Sequence, residues 1–220
     1  MSIELYYRVV GETRDMSSAI VYARSGKIRG SELGLAKIAG KPMIEYVLDA
    51  MPDEIDDLII MIEGEYSSEE LDDVADKYFA QVLRYTGNGR DARKIVEFAV
   101  NNVHGERVVI LPADAPLITR DFASFLLDCS KKFTAALPRT PARKTTYLMA
   151  SYKTKPFRDV FAAYPEAGMD EVVRKVGGAI HLSSNSLKIF DEKLGMFFRV
   201  VTPQDLKRAE KILKVRAKKA

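Results

Sequence analysis

The 220-residue chain has one cysteine, Cys129, no tryptophan, and two histidines, His104 and His181. A single thiol cannot build a disulfide framework or a cysteine-based zinc site, and it suits a reducing compartment. Two histidines 77 positions apart exclude a histidine-rich metal centre. Any metal would therefore be held by carboxylate oxygens, the chemistry of Mg²⁺. Long hydrophobic runs are also lacking, which excludes a membrane span. The opening MSIELYYRVV carries Glu4 and Arg8 where a secretory leader would be apolar, so the expected location is the cytoplasm, with no membrane partner. An excess of either charge is missing as well. Lys+Arg number 34 against 31 Asp+Glu, and a net +3 is too small to imply a nucleic-acid partner. Apolar residues, at 47%, are not scarce, and in a chain of 24.7 kDa they supply a core for one α/β domain.

What is present alternates. Ala19–Ala23 and Asp57–Ile62 read as buried strands, Gln81–Arg84 as a third, and Arg107–Leu111 as a fourth. Between them lie helical segments. Pro42–Asp49 has proline at its first position, Ser67-Ser68-Glu69-Glu70 offers a capping box ahead of Leu71, Val74, Ala75 and Tyr78, and Asp91–Val103 follows. A helix over Thr119–Lys131 and a strand over Phe133–Leu137 continue the pattern. Alternation over about 140 residues predicts an α/β fold: a three-layer, Rossmann-like, mixed but mostly parallel sheet with helices on both faces. Ligands in such sheets sit at the carboxyl ends of the strands, which directs attention to loops 24–41, 85–91 and 112–118.

The rest of the chain is less regular. Thr145–Lys153 reads as a strand, and Pro156–Tyr164 and Met169–Val176 as helices. Thr202-Pro203-Gln204-Asp205 is a strong helix start. No linker is visible, so residues 1–220 read as a single domain. Within 1–17, Ile3, Leu5, Tyr7 and Val9 alternate with Glu4, Tyr6 and Arg8, which predicts an added edge strand able to pair across a homodimer interface. Twelve acids and no base occupy Asp49–Asp76, whereas Lys207–Ala220 holds seven bases and one acid; both read as solvated helix faces.

Loop 24–41 is the chemical signal. It holds Arg24, Lys27, Arg29, Lys37 and Lys41, with Gly26, Gly30, Gly34 and Gly40, against the single acid Glu32. Glycines let backbone N–H groups approach an anion, and bases neutralise phosphate charge. Read alone, the loop is equally an ordinary basic surface. Its spacing fits neither the dinucleotide-binding nor the P-loop glycine pattern.

Three segments add specificity. Ala19–Lys27 through Gly40-Lys41-Pro42-Met43-Ile44 resembles the opening of the MobA-like, GT-A-type nucleotidyltransferases. That family includes molybdenum-cofactor, adenosylcobinamide-phosphate and sugar-phosphate nucleotidyltransferases. Leu111-Pro112-Ala113-Asp114-Ala115-Pro116-Leu117-Ile118 is similar to the family's metal-binding segment, and Phe197–Leu206 to its closing segment. Tyr85-Thr86-Gly87-Asn88-Gly89-Arg90-Asp91 is more weakly similar to the cobinamide branch, although it is equally a simple turn between strand and helix. Departures are visible too. Arg24 stands at the family's first loop glycine, Leu33 at a lysine, and Arg199 and Val201 at two asparagines.

The resemblance implies nucleotidyl transfer. An NMP, with GMP favoured, would pass from an NTP (GTP) to a phosphorylated small-molecule cofactor precursor, and pyrophosphate would leave. It implies Lys41, Arg29 and Lys27 as catalytic residues, and Ala23, Arg24, Ser25, Gly26, Gly87 and Gly89 as nucleotide-contacting ones. Asp114 would be the ligand of Mg²⁺, with a capping aspartate in a proline-flanked turn as the plainer alternative. An acceptor phosphate is already ionised near neutral pH, so the scarcity of histidine is no obstacle. Residues 139–201 would form the acceptor-binding or lid part. The departures motivate a second expectation: a catalytically degenerate nucleotide-binding or regulatory protein of the same fold.

Overall fold

The computed structural model describes residues 16–64 and 68–217. The expected edge strand within 1–17 therefore lies outside the described residues, apart from its last two positions. In chain order the elements begin with β1 (Ser17–Ala23), then two short hairpins, β2 (Lys27–Ile28) with β3 (Ser31–Glu32) and β4 (Lys37–Ile38) with β5 (Lys41–Pro42). Next come α1 (Met43–Leu48), β6 (Asp57–Glu63), α2 (Glu69–Lys77), β7 (Gln81–Tyr85), α3 (Ala92–Asn101), β8 (Arg107–Pro112) and α4 (Arg120–Lys132). The chain continues through β9 (Ala135–Pro138), β10 (Ala150–Lys153), α5 (Thr154–Ala163), α6 (Met169–Val176), β11 (Ile180–Leu182), α7 (Ser184–Leu187) and α8 (Pro203–Ala217).

Seven strands form one sheet in the order β11-β9-β10-β8-β1-β6-β7. β6, β1 and β8 pair in parallel, as do β6 with β7 and β9 with β11, while β10 runs antiparallel to both β8 and β9. β1 and β8 are buried along their whole length. That is why their Ala19–Ala23 and Val108–Leu111 stretches read as unbroken apolar runs: a central parallel strand is covered on both faces and leaves no polar side to alternate with. Side chains of β1 still part by face. Ala19, Val21 and Ala23 pack with α1, α2 and α4; Ile20 and Tyr22 pack with α3, α5 and α6. The result is the expected three-layer, mostly parallel α/β architecture. Among the described residues no helix is long and apolar enough to cross a membrane.

A third, smaller core lies beyond the sheet. Ile28, Leu33, Ala36 and Ile38 from the segment after β1 pack against Met43 of α1, Val200, and Leu206 and Ala209 of α8. Segment 24–42 is thus a folded unit, anchored by apolar residues between its bases. Each hairpin turns through a residue–glycine pair with both members at positive φ: Arg29 (52°) with Gly30 (87°), and Ala39 (52°) with Gly40 (85°). That backbone suits two-residue hairpins, because its twist matches the flanking strands.

The C-terminal half departs from expectation in detail. The strand expected over Thr145–Lys153 pairs regularly only over Ala150–Lys153, with one isolated bridge between Arg139 and Thr145. The Thr146 hydroxyl bonds the Pro138 and Met149 carbonyls, holding the intervening chain out of the ladder. The helix expected from Pro156 starts two residues earlier, at Thr154.

Candidate nucleotide site

β1, β6, β7 and β8 run in one direction, so Ala23, Glu63, Tyr85 and Pro112 end along one edge of the sheet. The Ala113 N–H donates to the Tyr22 carbonyl at 2.9 Å, which stitches the turn after β8 to the end of β1. Asp114, one residue on, is 2% exposed. A carboxylate so buried requires charged or hydrogen-bonded partners. It has two. Oδ2 accepts from Arg24 Nε at 3.0 Å, and Oδ1 accepts from Arg199 Nε and pairs with its Nη2. Arg199 is delivered by the segment before α8, and the next residue, Val200, donates its N–H to the Asp114 carbonyl at 2.8 Å.

A divalent ion takes six or more oxygen ligands, and a carboxylate is the strongest of them. Here both Asp114 oxygens already accept from guanidiniums. Among the described residues no group of three or more His, Cys, Asp or Glu side chains could hold a metal ion. Mg²⁺ at a phosphate site needs only one or two carboxylates, with phosphates and water completing its shell. The misfit therefore lies in the guanidiniums: with both oxygens taken by Arg24 and Arg199, Asp114 does not offer Mg²⁺ a free carboxylate.

Glu63, which sequence reasoning missed, ends β6 beside this cluster. Its Oε2 accepts the Ser25 N–H at 2.8 Å and the Tyr22 hydroxyl at 3.4 Å. Burial first, and the Glu63 charge second, push the Tyr22 hydroxyl well above the usual tyrosine range. Gly89 permits the arrangement, since a Cβ there would overlap the Glu63 carboxylate. A Cβ on Gly87 would likewise strike the Tyr85 ring and hydroxyl. At both glycines the chain's own side chains come close to the backbone. The available signal for Glu63 was an acid closing an apolar run at a strand's carboxyl end.

The other expected residues are distributed unevenly. Lys27 pairs with Glu32 at 3.4 Å across the first hairpin, and Arg29 stands exposed at its tip with no ion-pair partner among the described residues. Gly26 (φ 140°) makes a turn whose carbonyl accepts the Leu33 N–H at 2.8 Å. Lys41 is engaged by Asp49 and lies 4.9 Å from the centre of the Tyr46 ring. Leu33, at the position of a family lysine, is 3% exposed in the third core. Beside the β7–α3 loop a cleft of about 450 Å³ opens, lined by Asn88, Arg90 and Arg93 on one side and Tyr147, Glu166 and Met169 on the other.

The fold is Rossmann-like, with a charged cluster at the carboxyl ends of its parallel strands, and comparison with known proteins supplies the class, a nucleotidyltransferase. The family model described as "MobA-like NTP transferase domain" matches residues 23–180, and the chain belongs to that family. It is 22% identical over 207 residues to a probable molybdenum cofactor guanylyltransferase of Natranaerobius thermophilus, covering 91% of this chain and 98% of that one. Its fold is similar to molybdopterin-guanine dinucleotide biosynthesis protein A from Archaeoglobus fulgidus, with a TM-score of 0.68 and 22% identity over 90% of this chain and 99% of that one. It is also similar to 2-C-methyl-D-erythritol 4-phosphate cytidylyltransferase from Thermus thermophilus, with a TM-score of 0.61 and 15% identity over 91% and 100%.

Proposed function

We propose that this protein transfers GMP from GTP to a phosphorylated cofactor precursor of the molybdopterin type, releasing pyrophosphate. Family membership across residues 23–180 carries the proposal. The similarity to a probable molybdenum cofactor guanylyltransferase over nearly both whole chains supports the choice of base and acceptor.

In that reaction an acceptor phosphate oxygen forms a bond to the α-phosphorus while the bond between that phosphorus and the bridging oxygen to the β-phosphate breaks. The work is alignment and charge neutralisation. Arg24, Lys27 and Arg29 would hold the β- and γ-phosphates and the departing pyrophosphate, through guanidinium and ammonium donors. Lys41 would leave Asp49 for the α-phosphate or the acceptor phosphate. The cleft between the 85–91 loop and segment 139–201 is roomy enough for a base or an acceptor ring.

A thermal-shift panel of the four common NTPs with a phosphate acceptor tests the proposal, alongside a pyrophosphate-release assay. GTP near a hundredfold its Kd should raise the melting temperature by about 5–10 °C, more than the other three. No shift with any NTP overturns the proposal. The two guanidiniums on Asp114 favour one second reading, a nucleotide-binding protein without turnover. For that reading the shift persists while no pyrophosphate appears with any acceptor.

A further inference from the structure

Building on the nucleotide reading above, we infer that Arg24 and Arg199 stand in for a divalent ion at Asp114, so that this protein takes up nucleotide polyphosphate with no divalent ion on that carboxylate. The electrostatics are equivalent. A 2+ ion on one carboxylate leaves one net positive charge, and so do two guanidiniums on one carboxylate. The charge also sits in the same place, at the carboxyl ends of β1 and β8, because Arg24 follows β1 and Asp114 follows β8.

Donors remain for a phosphate. Arg24 spends only Nε on Asp114, and both of its Nη groups have no partner among the described residues; Arg199 keeps Nη1. The two side chains are 39% and 37% exposed, whereas that of Asp114 is 2% exposed. The carboxylate is thus shut away and the unspent guanidinium N–H groups are accessible. Guanidinium forks match phosphate oxygens in geometry and charge. Among the described residues no group of three or more acid, His or Cys side chains could supply the missing ligands. Glu63 spends its Oε2 on Ser25 and Tyr22, and Val201 brings an exposed apolar side chain to the closing segment. Two departures from the family pattern that each look like a loss are, taken together, one substitution: two fixed organic cations for an exchangeable inorganic one.

The test uses the full chain and GTP. Calorimetric titration in EDTA should give a Kd within about threefold of that in Mg²⁺, a difference under one kcal/mol. With Mn²⁺ and GTP, the electron paramagnetic resonance spectrum of bound Mn²⁺ should be the same for the wild type and for Asp114→Asn. The double variant Arg24→Gly/Arg199→Asn should lose at least about tenfold in affinity in EDTA. It should also gain a Mn²⁺ signal that Asp114→Asn abolishes. GTP binding that requires a divalent ion, with a wild-type Mn²⁺ spectrum that changes in Asp114→Asn, overturns the inference and leaves the nucleotide reading standing. No GTP binding by folded wild type in either buffer overturns the nucleotide reading and this inference with it. Should Asp114→Asn fail to fold, the wild-type Kd in EDTA against Mg²⁺ decides.

Discussion

Substituting Gly89 with alanine should destabilise the fold through a side chain 26 positions away. A Cβ at Gly89 falls on the Glu63 carboxylate, and Gly89 is not among the glycines at positive φ, so backbone strain is not the mechanism. Glu63 must swing away, giving up the Ser25 N–H at 2.8 Å and the Tyr22 hydroxyl at 3.4 Å. A hydrogen bond to a charged group contributes about 1.5–3 kcal/mol, and this one, on an exposed loop, contributes about 1. Stranding the hydroxyl of a nearly buried tyrosine adds about 1 kcal/mol. Restricting the unfolded chain returns about 0.4–1 kcal/mol. The net loss is about 1 kcal/mol, or about 2–4 °C in melting temperature for a chain of this size. A double-mutant cycle with Glu63→Ala, followed by urea denaturation, checks the route. Once Glu63 is gone, Gly89→Ala should be neutral or mildly stabilising. Additive losses would mean that Gly89 matters for some reason other than Glu63.

Two further predictions concern a buried glycine ahead of β8 and the cap of α8. Gly105→Ala should cost about 1–3 kcal/mol, because its Cβ would lie 2.7 Å from the Ser18 backbone nitrogen and 2.9 Å from the Arg107 carbonyl, atoms of two paired core strands. GTP binding by the fraction that folds should be unchanged, and a selective loss of binding would contradict the placement. At the start of α8, the Thr202 hydroxyl bonds the Asp205 carboxylate at 2.7 Å and accepts the Asp205 N–H at 3.2 Å. This side-chain bond, ahead of the backbone donors Val201 and Thr202, holds the Asp205 carboxyl below its ordinary value. A depressed folded value means that the cap stabilises at neutral pH and is lost as pH falls through that value. Thr202→Ala should cost about 1 kcal/mol at pH 7 and move the Asp205 carboxyl titration, followed by NMR, upward. An unmoved titration would refute the coupling.

The central strands were legible because burial on both faces leaves an uninterrupted apolar run, as in Ile59–Ile62 and Val108–Leu111. Helix starts were legible where a side chain caps: Thr119 accepts the Phe122 N–H, and Asp91 the Arg93 and Lys94 N–H groups. Segment 24–42 was not, since Ile28, Leu33, Ala36 and Ile38 are spaced by glycines and bases in neither a helical nor a strand period. Their packing with Met43, Val200 and α8, the last two far along the chain, makes those positions a core. β11 and α7 escaped for a related reason: at three and four residues they are too short to carry a period.

At the site, residue types were legible and their pairings were not. Asp114 is brought to Arg24 across 90 positions and to Arg199 across 85. No spacing rule reaches that far, although two motifs that each gain an arginine around one shared carboxylate were a readable hint. The bases of loop 24–41, equal in the sequence, are unequal in their availability to a polyphosphate. Among the described residues Arg29 has no acid to leave. Lys27 faces Glu32 at 3.4 Å with its side chain 66% exposed, a surface pair that contributes about 0–1 kcal/mol and is readily exchanged. Lys41 must give up both Asp49 and the Tyr46 ring. Arg24 needs to leave nothing, because it can hold Asp114 through Nε and present its Nη groups at once. A polyphosphate arriving at this edge would therefore meet Arg29 and Arg24 before it could recruit either lysine, and the residue at the family's first loop glycine would be part of the proposed grip.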